Sequence, residues 1–517
     1  MAKQWVKYNN TRNSKFSIAC AGIAGLLLTF SFAPFDIWPL TIISLAALFY
    51  LANNSHSVKH AFALAYIFSI AGYGAGLGHW IYLSMQISTG SQIIGAIAAP
   101  IICLILSTLP AIAIAIYKYI SCKLEHKLLH IGLFAACITL VEWLRTFSLM
   151  SFPISYAYPH INGPLAAWLP IIGVFGVSFI ASITSASLVY ILLSQQIRLV
   201  LIILVTLLWG SSYPLKQVSW VQPHATIETA IVQANINNQI KWKRQYRHLI
   251  IERYMNMTRQ VADSDLIVWS ENSLPMTYNQ AVSVISQLQQ LTLEHKNTLM
   301  LGILTQARQQ QAGYTSTFHN SILTLDSQAD EYFYHKYKLL PFGEYTPGEK
   351  YFVGLKQFFG IPMSSFQPGS QQQEIFVSDK IKASSYICYE DMFPDYVRNQ
   401  ARGANLLVTV SDDSWFGDSF GPYQHLNIAR VRAAELGRYF VRATNTGVSA
   451  IIDERGNVTN KSGKLFTTKI VKGKVKLMHG TTPFAQYGSW PVVVFSLLIL
   501  LAGLMLRWVK RSSHLYP

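Results

Sequence analysis

Long apolar runs must be hidden from water, and this sequence carries eight of them. They lie near residues 16–34, 37–53, 61–84, 91–117, 128–145, 165–193, 197–213 and 488–507. A helix needs about 20 mostly apolar residues to cross a bilayer core, so these runs are read as transmembrane helices. The bulk composition agrees. Hydrophobic residues make up 51% of the chain and charged residues 13%, a balance too apolar for an ordinary soluble protein.

The charges are placed as a membrane requires. Residues 222–487 hold 22 of the 25 acids and 27 of the 41 bases, a net of +5, whereas the rest of the chain carries 14 bases against 3 acids. The excess bases therefore flank apolar runs rather than lining one soluble face, which excludes a nucleic-acid groove. With eight spans and the N-terminus inside, Lys3, Lys7, Arg12, Lys15, Lys59, Lys118, Lys123, Lys127, Arg198, Arg507, Lys510 and Arg511 are cytoplasmic. Only Arg145 and Lys216 fall outside. This asymmetry fixes the orientation and places 222–487 beyond the membrane. The first span is too long, and lacks a small-residue cleavage site, to be a removed signal peptide. The expected organisation is a membrane domain of seven helices over 1–221, an extracytoplasmic domain over 222–487, and a last helix with a cytoplasmic tail over 488–517.

The polar block alternates strand and helix. TIETAIVQANI (226–236), DLIVWSEN (265–272), NTLMLGIL (297–304), HNSILTLD (319–326), ASSYICYE (383–390) and NLLVTVSDDSW (405–415) read as strands. Residues 244–261, 280–296, 394–404 and 424–443 have helical periodicity, and 448–460 reads as a hairpin. Such alternation argues for an α/β layered domain.

Chemistry is expected where the strands end. Glu271 closes LIVWSE, Lys336 lies in YHKYKLLPFGE, and Cys388 closes SYIC. Cys388 is the only cysteine of the block, so it forms no internal disulfide there. It is either a buried inert residue or a thiol kept for reaction. An acyl-transfer site on cysteine needs a nucleophile, a base to generate it and a positive group for the developing oxyanion, and Cys, Glu and Lys supply these roles. A Cys388–His425 arrangement is the competing reading, against which His425 opens a helical segment suited to capping or packing. Asp412–Asp413 alone does not make a metal site, and no close His or Cys pair has ligand spacing. In the apolar half, Glu142 and Arg145 have a spacing that pairs them on one helix face. They are either an interfacial anchor or a contact to a lipid headgroup or to the soluble domain. The loop 151–164, rich in Pro, Tyr and Gly, either lines an entrance or is an ordered turn.

Three stretches carry a resemblance: VWSEN around Glu271, YHKYKLLPFGEYTP around Lys336 and SYICYEDMFP around Cys388. They resemble the catalytic stretches of the nitrilase superfamily. With seven helices before that domain and one after, the chain resembles the membrane-embedded branch of the superfamily, the apolipoprotein N-acyltransferase family of the Gram-negative inner membrane. VQANINNQIKW (232–242), the stretch 411–450, VEWLRT and INGPLAAW match it further, so the resemblance spans nearly the full length. It implies an eight-helix bundle with an inserted periplasmic α/β/β/α sandwich, both termini being cytoplasmic.

The resemblance also implies roles: Glu271 the general base, Cys388 the acyl-accepting nucleophile, and Lys336 the stabiliser of the tetrahedral intermediate. Glu344, Tyr389 and Glu390 match supporting site residues, and Trp242 and Trp415 match aromatics of mobile loops over the pocket. The implied reaction moves an acyl chain from a phospholipid to the α-amino group of a diacylglyceryl-cysteine at the start of an apolipoprotein, by a ping-pong route through a thioester. No cofactor or metal, no nucleic acid and a monomeric state are expected. Two departures are visible: Ser270 stands where the family more often has Pro, and SDDSW stands for the usual Asn-Asp-Ala-Trp. Lys336 is preferred over Lys338 by its spacing from PFGE.

A lipid reaction suits the composition, since one helix would tether a soluble amidase. Burying an acyl chain is worth about 0.8 kcal/mol per CH₂, so it need not leave an apolar channel to reach the thiol. The apolar segment 353–363 is expected to be either a lid that shields the thioester from water or a surface turn. The alternative functions are a membrane-tethered amidase or nitrilase acting on a small soluble substrate, an inactive lipid-binding scaffold, and a transporter. The paucity of ionisable residues in the spans argues against the last.

Overall fold

The structure is a computed structural model that describes residues 12–147, 154–307, 317–328, 331–341, 343–345 and 366–512. The apolar segment 353–363 lies outside the described residues. The chain forms two compact units, one of residues 1–82, 93–218 and 489–517, the other of residues 83–92 and 219–488.

The first unit is helical. Among the described residues, six helices are long and apolar enough to cross a membrane: Val58–Thr89, Gln92–Ser121, Lys127–Arg145, Pro164–Leu193, Arg198–Gln217 and Trp490–Lys510. The first two expected spans hold shorter apolar helices, Lys15–Thr29 and Pro39–Asn53. Pro34 cannot donate into a continuing helix, so the apolar run through Phe35 bends into turns instead. The core centres on Phe49, Tyr117, Phe134 and Tyr190, with Phe49 and Phe134 edge to face at 5.1 Å and Phe49 and Tyr190 at 5.5 Å.

Glu142 and Arg145 are buried, at 3% and 4% exposure, and they hold a loop. Glu142 accepts hydrogen bonds from Ser155 Oγ at 2.9 Å and the Tyr156 amide at 2.8 Å. Arg145 Nη1 donates to the Ile154 carbonyl at 2.6 Å. The polar backbone of the loop thus finds partners within an apolar unit, which a bilayer-facing chain requires.

The second unit is a sandwich. One sheet has the order β12-β1-β2-β3-β4-β5, built from β1 (Val221–Gln233), β2 (Leu266–Trp269), β3 (Thr298–Gln306), β4 (Phe318–Leu325), β5 (Glu331–His335) and β12 (Lys469–Gly480). The other has the order β11-β10-β9-β8-β7-β6, from β6 (Phe376–Val377), β7 (Lys382–Ile387), β8 (Leu406–Ser411), β9 (Phe440–Thr444), β10 (Ala450–Ile452) and β11 (Val458–Lys461). Strands β1, β2 and β3 run parallel, as do β7, β8 and β9. Ile231, Val268 and Met300 of one sheet share a core with Ile387, Val408 and Val441 of the other. Helices Arg247–Arg259 and Tyr278–His295 pack on the outer face of the first sheet. Helices Pro394–Gln400 and Gly421–Leu436 pack on that of the second. The layers are therefore α/β/β/α, and the parallel strands read as continuous apolar runs because both faces are covered.

The expected helix over 424–443 is corrected. It ends at Leu436, where Gly437 takes a left-handed conformation with φ 61° and its amide caps Ala433. Residues Phe440–Thr444 form the central strand β9 instead. Glycine ends helices this way because it has no Cβ to strain, and the aromatic and β-branched residues beyond it favour a sheet. The segment containing β12 has no counterpart in the sequence reading, although β12 pairs with β1 along nearly its whole length.

Candidate active site

The C-terminal ends of the parallel strands share one edge of the sandwich, where side chains project from a rigid frame. Glu271 lies two residues beyond β2, Cys388 follows β7 directly, and Lys336 follows β5. Asn320, near the start of the antiparallel strand β4, is opposite Leu304 at the end of β3, which brings it to the same edge.

Lys336 is 2% exposed and Glu271 6% exposed. The Lys336 ammonium is 2.8 Å from Glu344 Oε2 and 3.9 Å from Glu271 Oε1. Asn320 Nδ2 donates to both carboxylates, at 2.7 Å to Glu271 and 2.9 Å to Glu344. Glu271 Oε2 accepts from the Asp412 amide at 2.8 Å. One cation is therefore shared by two carboxylates. Burial lowers the Lys336 pKa, but Glu344, Glu271 and Cys388 outweigh it and hold the ammonium above its usual range. Lys338 has a different setting, over the rings of Phe393 at 5.0 Å and Tyr337 at 5.3 Å.

The glutamate segment is tightly seated. Gly302 of β3 leaves room for it, since a Cβ there would meet the Asn272 nitrogen at 2.4 Å and the Glu271 Cα at 2.7 Å. Asn272 itself has φ 46°, a left-handed turn that asparagine tolerates better than most residues. Ser270, which replaces the expected proline, hydrogen-bonds Tyr254 at 2.8 Å.

Cys388 has φ 52°. A non-glycine residue there costs of order 1 kcal/mol or more and persists only when its surroundings over-determine it. Glu390 supplies that constraint. Its fully buried carboxylate accepts from the Ile387 amide at 2.8 Å and the Tyr334 hydroxyl at 2.7 Å. Its other oxygen accepts from the amides of Tyr337 at 2.8 Å and Lys338 at 3.1 Å. A single side chain thus joins the cysteine turn to the strand end that carries Lys336. Tyr389 is buried against Phe393, edge to face at 5.1 Å.

Burial pushes the Cys388 thiol well above its usual range, the Glu271 carboxylate adds to the rise, and Lys336 opposes it. Burial likewise raises the Glu271 pKa, with Lys336 opposing and Glu344 adding. Burial thus works against a separate charge on either group. Passing the proton from sulfur to Glu271 makes a thiolate without changing the net charge of the site. That is the arrangement a buried nucleophile needs, because separate ionisation would add a second uncompensated charge.

His425 takes no part in that pair. Its Nδ1 is 3.1 Å from Asp413 and its Nε2 3.0 Å from Asp391, and Arg442 closes the buried cluster with a 2.8 Å bond to Asp413. The packing reading of the histidine is the one this geometry fits. Trp242 and Trp415 are 47% and 36% exposed. Trp242 ends the short helix Asn238–Lys241, and Trp415 lies in the turn Asp413–Phe416. Lys241, just before Trp242, forms a buried ion pair with Asp412 at 2.6 Å. Ser414 Oγ donates to the same aspartate at 2.6 Å, so the two departures in SDDSW contact each other. Among the described residues no group of three or more His, Cys, Asp or Glu side chains is placed to hold a metal ion.

Sequence reasoning did not single out Asn320 or Lys241. Asn320 opens an ordinary apolar strand, and only the fold brings it between two glutamates. Lys241 lies in the quoted stretch QIKW but reads as one more surface lysine.

Known proteins match this architecture in both halves. The carbon-nitrogen hydrolase family matches residues 228–479, and the apolipoprotein N-acyltransferase N-terminal domain matches residues 24–187. An apolipoprotein N-acyltransferase from Vibrio parahaemolyticus is 31% identical over 506 residues, 94% of this chain and 96% of its own length. The same-named proteins of Pseudomonas syringae pv. tomato and Pseudomonas aeruginosa PAO1 are each 33% identical, over 95% and 96% of this chain and 96% and 95% of their own.

The chain belongs to the apolipoprotein N-acyltransferase family.

Within that family, the three stretches that suggested the resemblance meet at one edge of the hydrolase sandwich. Membership also accounts for the helical unit, because the family's N-terminal domain covers most of its length.

Proposed function

We propose that this protein is an N-acyltransferase that moves a fatty acyl chain from a membrane phospholipid to the N-terminal amine of diacylglyceryl apolipoproteins. The observation that carries the reading is the juxtaposition of Lys336 with Glu271 and Glu344 beside a lone, buried, strained Cys388, in a chain whose other half is apolar helix.

The chemistry runs in two steps. Cys388 gives its proton to Glu271 as its sulfur attacks the ester carbonyl of the phospholipid. The Lys336 ammonium stabilises the developing oxyanion, the ester C–O bond breaks, and the proton leaves with the lysophospholipid. The acceptor amine then attacks the thioester and gives a proton to Glu271, and the sulfur leaves with that proton restored. Glu344 holds the lysine, Glu390 holds both strand ends, Tyr389 packs beneath the cysteine turn, and Trp242 and Trp415 line the mobile loops over the pocket. No cofactor enters either half-reaction.

The topology proposed with it has eight spans, with both termini cytoplasmic and residues 222–487 periplasmic at the Gram-negative inner membrane. The domains are 1–221, 222–487 and 488–517, and the working form is a monomer. The distribution of lysine and arginine around the apolar runs supports this orientation, and substrates anchored in the outer leaflet require it.

The deciding experiment is intact-protein mass spectrometry of the purified protein mixed with phospholipid, with Cys388→Ala as control. A fatty-acyl mass increase that is absent in the variant and discharged by a diacylated lipopeptide supports the reading. No adduct, together with ammonia release from small amides or nitriles, would replace it with a membrane-tethered amidase.

A further inference from the structure

The mechanism gives no task to the buried ion pair of Lys241 and Asp412. Lys241 and Asp412 are 3% and 6% exposed at their side chains. A buried pair is weak evidence for stability, because its attraction is largely offset by the desolvation of both charges. The contacts of this pair converge on one residue. Besides its 2.6 Å bond to Asp412 Oδ2, the Lys241 ammonium donates to the backbone carbonyl of Glu271 at 3.2 Å. The backbone amide of Asp412 donates to Glu271 Oε2 at 2.8 Å. Glu271 is thereby held at its main chain and at its carboxylate by two residues that bond each other, in a closed ring.

We propose that Lys241 and Asp412 are positioning residues that act through Glu271, fixing its carboxylate while cancelling each other's charge beside it. The inference rests on Glu271 being the base. The same ring reaches the loops of both exposed tryptophans. Asn445 Nδ2 donates to Asp412 Oδ1 at 3.2 Å and to the Ile236 carbonyl at 2.8 Å, and Asn238 Nδ2 donates to Ser414 Oγ at 2.5 Å. The segments leading to Trp242 and Trp415 are thus pinned to each other and to the base.

A charge-cancelling role has a signature that a purely structural one lacks. The charged or titratable groups around Glu271 are Lys336 after β5, Glu344 beyond it, Cys388 after β7, Asp412 after β8, and Lys241 on the short helix Asn238–Lys241. Asp412 is among the groups that raise the Glu271 pKa. Removing the Lys241 cation leaves that aspartate uncompensated and raises the base further. Removing the Asp412 charge leaves the lysine uncompensated and lowers it.

The test is the pH dependence of single-turnover acylation of Cys388, measured by intact mass on the full chain in detergent with a defined phospholipid. In Lys241→Met the acid limb should move up by about half a pH unit or more, and in Asp412→Asn it should move down by a similar amount, as expected for an opposite charge gained or lost nearby. The double variant should return close to wild type, and Lys241→Arg should keep the wild-type limb. Shifts of the same sign, or none, would overturn the proposal. Asp412→Asn keeps the amide donor and the shape of the side chain, so it decides the matter alone if Lys241→Met does not fold. Iodoacetamide alkylation of Cys388 across the same pH range gives a second readout that needs no acyl donor. If the wild type forms no thioester, the acyltransferase reading falls, while the presence or absence of opposed shifts in alkylation still decides the role of the pair.

Discussion

Gly302 makes the seating of Glu271, the proposed base, testable with one methyl group. An alanine Cβ at this position would lie 2.4 Å from the Asn272 nitrogen, 2.6 Å from the Ser270 oxygen and 2.7 Å from the Glu271 Cα, where ordinary contact begins at 3.4 Å. All three atoms are main chain, so no flexible side chain can turn aside. Relieving the overlap requires a displacement of about 1 Å, shared between β3 and the segment after β2, and an overpacking cost of about 1–3 kcal/mol. Glu271 resists that displacement through the hydrogen bonds to its carboxylate from Asn320 and the Asp412 amide, so the strain bears on the distance between base and thiol. A misplacement of about 1 Å in a proton-transfer pair costs about 100-fold in rate. Gly302→Ala is therefore expected to lower the rate of thioester formation about 100-fold at saturating phospholipid while leaving KM nearly unchanged, because the atoms its Cβ would meet all belong to the backbone of residues 270–272. Rapid-quench acylation followed by intact mass measures both parameters, with Gly302→Ser as a second, bulkier step. A rate within threefold of wild type would refute the reasoning, and a loss confined to KM would point to the pocket instead of the base.

The remaining expectations concern the same unit. Asn320→Asp places a third carboxylate between Glu271 and Glu344 and so favours the protonated form of Glu271; acylation should fall at least tenfold at pH 7 and recover in part as pH rises, as pH–rate profiles of the variant will reveal. Burial and Arg442 lower the His425 pKa, but Asp391 and Asp413 outweigh them and bring it from 6.5 to about 9. Its stabilisation is therefore complete below pH 6.5 and lost as pH rises through about 9, a change of about 3 kcal/mol. Thermal unfolding should show a falling Tm across that window, with a smaller fall in His425→Gln. Cys388→Ser should abolish turnover and Glu271→Gln should slow thioester formation; an active Cys388→Ser variant would sink the mechanism.

The polar residues of the site were legible to different degrees, and the reason is distance along the chain. Glu271 and Cys388 each close a short β-rich run, which marks them as strand-end residues, whereas Lys336 is singled out by its spacing from PFGE in the family resemblance, with no strand read before it. Asn320 and Lys241 have no local mark, since their partners lie 24 to 171 residues away, and only the closure of the sandwich brings them inward. The expected helix overruns to residue 443 for a local reason: helical spacing continues by chance past Gly437, where the chain takes the left-handed turn that ends the helix. Strand β12 escaped because it alternates with lysines and lies far from its partner β1. In the helical unit, composition identified the apolar runs, whereas turns around Pro34 set where the first of them stops being helix.

The pairing of β1 with β12 also constrains how the protein is made. Gln233 faces Lys469 and Val221 faces Gly480 across the ladder, so the ribosome must add 235 residues after the end of the first strand of the sandwich before its outer neighbour begins. Until then β1 can bond β2 on one side only, and its other edge offers bare amides and carbonyls to any extended chain nearby. The emerging domain therefore has to wait, unsealed, for its last strand. A chaperone that shields open strand edges, or a slow step in synthesis before Lys469, would be felt first at this seam.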